Sequence, residues 1–161
     1  MRNVKELGLR RTINIVREMK KTDIGHGVWE RVKNGNIEMR INTKNGWWDW
    51  ENLKHLSVDD GIGYTFQGTN QSFVFATASP DYAALARTII HEGVHASGIQ
   101  MSKKAEFLAR VAEIYARGRA PKLSELRDIR RIAFDPHGNY GDLVDDFGIR
   151  ISNGLIYHRF Y

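Results

Sequence analysis

Between Tyr82 and Ser97 the chain sets two histidines and a glutamate inside one of its most apolar stretches. Only Arg87 and Glu92 are formally charged there, and Leu85, Ala86, Ile89, Ile90, Gly93 and Val94 surround His91, Glu92 and His95. An α-helix brings residues i and i+4 onto one face, so the two imidazoles stand side by side. A helix this apolar is expected to be buried. Two imidazoles and a carboxylate left unpaired in such a place are costly unless an ion or hydrogen bonds satisfy them. Whatever the chain folds into must therefore cover this helix on most sides and give its polar face a partner.

The punctuation around the stretch supports a helix. Ser79 reads as its N-cap, Pro80 as its first helical position and Asp81 as an acid in the positive first turn. The helix is expected to run to about Ser97 and to stop at Gly98. Ser102 caps a second helix to about Arg117, closed by Gly118, and a third follows Pro121, around Ser124 to Ala133.

Upstream, Asn3 to Lys21 has mostly helical spacing in Val4, Leu7, Ile13, Val16 and Met19, and Asp23-Ile24-Gly25-His26-Gly27 reads as a break. Val28 to Val32 and Ile37 to Asn42 read as strands across an Asn34-Gly35 hairpin signal. Ile62 to Gln67 and Ser72 to Thr77 form a second alternating pair, and Ile149 to Ser152 with Leu155 to Phe160 a terminal hairpin over Asn153-Gly154. Trp47, Trp48 and Trp50 fall within four positions, as a cover for the sheet or as an exposed anchor for a partner. The fold class this predicts is α+β: a small, mostly antiparallel sheet with a central helix and further helices behind it. At 161 residues the chain is expected to be a single domain, 1–161, with the helical core at about 79–118.

Composition closes some routes. Cysteine is absent, which removes disulfide scaffolds, thiol nucleophiles and Cys-based zinc ribbons and leaves His and carboxylates to hold any transition metal. No run approaches the roughly 20 apolar residues of a membrane span, and no apolar segment of a secretion signal follows the basic start. The net charge of +5 is concentrated in two blocks: residues 1–57 hold 12 basic and 7 acidic side chains, and 101–134 hold 9 and 4. These flanks keep nucleic acid open as a partner.

His91-Glu92-Gly93-Val94-His95 has the H-E-x-x-H pattern, in which both imidazoles can bind one Zn²⁺ and the glutamate between them can reach a zinc-bound water as general base. A catalytic zinc site needs a third protein ligand. The extended pattern, with a third histidine after the glycine, has Met101 at that place and fails. Glu106, early in the next helix, is the favoured third ligand; Glu113, two turns on, is the alternative, with His137, Asp142 or His158 as distant ones. Such a site predicts a hydrolase: zinc lowers the pKa of its water toward about 7, Glu92 takes the proton, and the hydroxide attacks a peptide carbonyl. His137, Tyr140, Tyr157 and His158 are candidate donors to the oxyanion. The strand Ser72 to Thr77 is a candidate edge for pairing with an extended peptide.

On these residues the chain resembles the zincin metallopeptidases whose third ligand is a glutamate on the following helix. The resemblance implies His91, His95 and Glu106 as metal ligands and Glu92 as base. The block from Leu85 to Ile99 and from Ala105 to Glu113 also looks like zincin-like domains at the C-termini of bacterial polymorphic toxins and contact-dependent growth inhibition exoproteins. That resemblance implies secretion within a larger exoprotein, action on a cytosolic protein of the target cell, and neutralisation by a cognate immunity protein. Readings from other classes are a metal-dependent nuclease toxin and a non-catalytic domain in which the metal only staples two helices.

Overall fold

The computed structural model describes residues 7–49, 53–59, 61–66, 68–79, 81–97 and 102–134. The terminal hairpin expected at 149–160, Trp50, Pro80, Gly98, Met101, His137, Tyr140, Asp142, Tyr157 and His158 lie outside these residues. Two helices, α1 (Leu9–Met19) and α2 (Asp23–Lys33), precede five strands: β1 (Glu38–Asn42), β2 (Gly46–Asp49), β3 (Lys54–Ser57), β4 (Gly63–Thr65) and β5 (Gln71–Phe75). A short 3₁₀ turn, Ala76–Ala78, leads to α3 (Tyr82–His95), α4 (Lys103–Tyr115) and α5 (Leu123–Phe134). The class is α+β, as the sequence predicts.

One expectation fails locally. Val28 to Val32 is not a strand, and Asp23 to Gly27 is not a break; both belong to α2. Thr22 caps this helix by accepting from the N–H of Gly25, Asp23 sits in the first turn, and Arg31 and Lys33 in the last. Its buried residues, Gly25, Val28 and Val32, fall at helical spacing. The Asn34-Gly35 signal is then the exit from a helix, with Gly35 at φ +80°, rather than a hairpin.

The sheet is mixed. β5 lies in the middle of a three-stranded sheet in the order β1-β5-β4, parallel to β1 and antiparallel to β4, while β2 and β3 form a separate antiparallel pair. Thr65 is opposite Ser72, Tyr64 opposite Phe73 and Gly63 opposite Val74. Period-2 alternation then sorts β5 into two faces. Ser72 and Val74 face the helices, Ser72 donating to a carbonyl of α3 and Val74 joining the main core of Ile15, Met19, Ile41, Ile89, Ile90 and Phe107. Phe73 and Phe75 face a smaller core with Leu56, Trp47, Tyr64 and Phe66.

That second core settles part of the tryptophan question. Trp47 lies with its ring centroid 4.8 Å from that of Phe73, and Arg40 spreads over both rings, so it covers the sheet. Trp48, its neighbour on the other face of β2, is exposed. β5 is paired on both sides and so is no edge; among the described residues the outer strands of this sheet are β1 and β4. Among the same residues no helix is long and apolar enough to cross a membrane.

Candidate metal centre

The buried helix expected around His91 is α3. Its cap is Asp81, whose carboxylate accepts the Ala84 N–H at 2.7 Å, and not Ser79, which closes the 3₁₀ turn through its N–H to Ala76. Leu85, Ala86, Ile89, Ile90, Gly93 and Val94 are all buried, as are Glu92 and His95. Gly93 fits where nothing larger would, since a Cβ there would lie 2.4 Å from Val28 Cγ1 of α2. α4 begins at its expected cap, the Ser102 hydroxyl accepting from Ala105 N–H at 3.1 Å. It packs along α3, which brings Glu106 over the two histidines.

His91 Nε2, His95 Nε2 and Glu106 Oε2 form a triangle with edges of 3.2 Å between the imidazoles, 3.5 Å from His91 to Glu106 and 3.3 Å from His95 to Glu106. Ligands at about 2.0–2.1 Å in a tetrahedral shell stand about 3.3–3.4 Å apart. The three atoms are therefore spaced as three corners of such a shell, and this group can hold a metal ion. Glu106 is 3% and His95 5% exposed, so the donors are already stripped of most of their water. His95 Nδ1 is buried and has no hydrogen-bond partner.

Two further atoms of the cluster find partners on α4. Arg110, one turn beyond Glu106, donates from Nε to Glu106 Oε1 at 2.5 Å, leaving Oε2 for the histidines. Glu113 Oε1 lies 2.6 Å from His91 Nδ1. Glu113 thus meets the far nitrogen of His91 and stands outside the triangle of His91, His95 and Glu106. A carboxylate on the second nitrogen of a ligating imidazole fixes its tautomer and orientation.

Electrostatics follow the same geometry. Burial lowers the pKa of His91, but hydrogen bonds to Glu106 and Glu113 and the nearby charges of Glu92 and Glu106 outweigh it and raise it from 6.5 to about 10. Burial pushes Glu106 upward, and the opposing hydrogen bonds from His91 and His95 with the charge of Arg110 hold its carboxyl well below the usual range. Glu92 goes the other way. Its burial raises the pKa more than His91, His95 and the Thr65 hydrogen bond lower it.

Glu92 makes contacts that the sequence does not announce. Its Oε2 accepts from Thr65 Oγ1 of β4 at 2.7 Å, and Thr65 Oγ1 lies 2.8 Å from Ser72 Oγ of β5. Ser72 also donates to the Glu92 carbonyl at 3.2 Å. A Cβ on Gly63 would come within 2.6 Å of Glu92 Oε1. Gly63, Thr65 and Ser72 carry no signal as single residues. Their alternation and cross-strand pairing would reveal them once the register is known.

Comparison of the chain with protein-family models, curated proteins and solved structures gives no match.

Proposed function

We propose that the chain is a zinc-dependent peptidase in which His91, His95 and Glu106 hold the metal and Glu92 is the general base. The observation that carries this reading is the Glu92 carboxylate, buried within electrostatic reach of the His91–His95–Glu106 triangle and in contact with the outer strand β4. Two nitrogens and one oxygen at tetrahedral spacing, with no thiolate available, suit zinc. Zinc held there supplies a Lewis acid that polarises a carbonyl oxygen and acidifies water. Among the described residues three ligand atoms converge, the number of protein ligands that a catalytic zinc site uses.

The chain's own groups divide the work. Glu106, held by Arg110, and His91, held by Glu113, keep the ligand atoms in place. Glu92 takes a proton from water at a carboxylate oxygen; burial raises its pKa, which makes it a stronger base than an exposed carboxylate. β4 pairs on one side only among the described residues, and an extended peptide added to its other side would run next to Glu92. This supports a peptide as substrate class.

The test is Glu92→Gln, which keeps the shape and removes the base. It is expected to retain about one zinc per chain while peptide hydrolysis falls by about a hundredfold or more. Full activity in that variant would end the mechanism. The proposal extends to the toxin context that the block Leu85 to Glu113 resembles: expression in a bacterial cytoplasm arrests growth, and Glu92→Gln relieves the arrest. Equal growth inhibition by both proteins would separate the toxin reading from this chemistry.

A further inference from the structure

The carboxylate of Glu92 lies in a notch on β4. Gly63 and Thr65, two residues apart, share the strand face toward α3: the first offers no side chain where the carboxylate sits, and the second supplies a hydroxyl. Behind Thr65 stands Ser72, fully buried, its hydroxyl 2.8 Å from Thr65 Oγ1 and 3.2 Å from the Glu92 carbonyl. Thr65 Oγ1 is also 3.1 Å from that carbonyl. Two hydroxyls of one cross-strand pair thus grip both ends of a single residue of α3, its backbone oxygen and its side-chain oxygen.

Each hydroxyl has one proton to give. If Ser72 donates to the Glu92 carbonyl, Thr65 is free to donate to Oε2. The 2.7 Å contact to Oε2 is a shorter claim on that proton than the 3.1 Å contact to the carbonyl. Ordinary strand packing needs no such arrangement, since valine would fill the volume of Thr65 without a hydroxyl. We infer that Thr65, given room by Gly63 while Ser72 holds the Glu92 carbonyl, is a positioning residue that fixes the orientation of the Glu92 carboxylate from the outer strand of the sheet. Its catalytic consequence rests on the peptidase reading; its geometry does not. A peptide added to β4 would then meet a base whose orientation is set by the same strand.

The experiment compares wild type with Thr65→Val, Thr65→Ser and Ser72→Ala, each labelled with ¹³C at the glutamate carboxyl. Glu92→Gln identifies the Glu92 signal by its loss. The spectra are recorded at one pH, with the metal-free protein and again with one equivalent of zinc. The Glu92 signal should move or broaden in Thr65→Val, hold its wild-type position in Thr65→Ser, and shift less in Ser72→Ala. An unmoved signal in Thr65→Val overturns the proposal, as does a Thr65→Ser signal that follows the valine variant. These readings need no substrate, so absence of peptidase activity in wild type would sink the peptidase reading and leave this one decided. With a cleavable peptide, Thr65→Val should lower kcat on the order of ten- to a hundredfold, as for a slightly misplaced group. KM should stay within about twofold and Thr65→Ser should recover most of the loss. An unchanged kcat in Thr65→Val would overturn the catalytic consequence.

Discussion

At the scale of single residues, the His91–His95–Glu106 triangle leans on groups outside it. With a metal on Nε2, the Glu113 carboxylate 2.6 Å from His91 Nδ1 would keep the proton on Nδ1 and leave Nε2 to the metal. Glu113→Gln keeps the length and loses the charge, and can offer an N–H where an acceptor is wanted. Zinc affinity in that variant is expected to fall about 10- to 100-fold, measured by competition with a chromophoric chelator. The fold should be little affected, because the Glu113 side chain is 32% exposed. Affinity equal to wild type would reduce Glu113 to a surface partner of the imidazole. Sequence spacing sets Glu106 and Glu113 on one face of α4, since two turns separate them. It does not say which oxygen meets which nitrogen, and this is why Glu113 reads from the sequence as an alternative ligand. Thr65 and Ser72 are less legible still, because they act only through a register between two strands.

At the scale of elements, strong local chemistry is what makes a stretch readable. α3, α4 and α5 are legible because long apolar periodicity coincides with caps and stop residues. α2 is not, since five residues from Val28 to Val32 with β-branched and aromatic members suit either period, and only the Thr22 cap and the buried Gly25–Val28–Val32 stripe decide it. The parallel pairing of β1 with β5 is also hidden, as it joins strands separated by a whole second hairpin. The start of α5 offers an element-scale test. Glu125 accepts the Lys122 N–H at 2.8 Å and both guanidinium nitrogens of Arg119, at 2.7 and 2.5 Å. The Arg119 hydrogen bonds, with the Lys122 N–H, lower its pKa from 4.5 to about 2. A carboxyl whose pKa is lower in the folded chain adds stability above its unfolded value and loses it as pH falls through the folded one. Wild type should therefore exceed Glu125→Gln in melting temperature above about pH 4.5, with the gap closing toward pH 2. The group is exposed, so the gap is small and shrinks with salt. A gap independent of pH would show that the carboxylate charge plays no part in this cap.

At the scale of the whole molecule, the triangle joins two helices with different duties. α3 is the buried centre of the main core, in contact with α1, α2 and the sheet, whereas α4 connects that centre to α5. With no cysteine, no disulfide holds the pair together, and the polar contacts across it run through His91, His95, Glu106 and Glu113. A ligand that binds the folded chain alone stabilises it by about 2.7 kcal/mol at a hundredfold excess over its dissociation constant. In a chain of this size each kcal/mol raises the melting temperature by about 2–4 °C. Saturating zinc is therefore expected to raise it by roughly 5–10 °C. Magnesium should not reproduce the shift, because it prefers an octahedral shell of oxygens. Glu106→Gln separates the site from unspecific binding. The variant loses the pair with Arg110 and melts lower without metal, so the quantity to compare is the zinc-dependent increment, not the absolute temperature. An increment that survives Glu106→Gln in full would move the third ligand to another residue. No increment in wild type would show that zinc does not bind the folded triangle, and His91, His95 and Glu106 would then be a hydrogen-bonded polar cluster buried between α3 and α4.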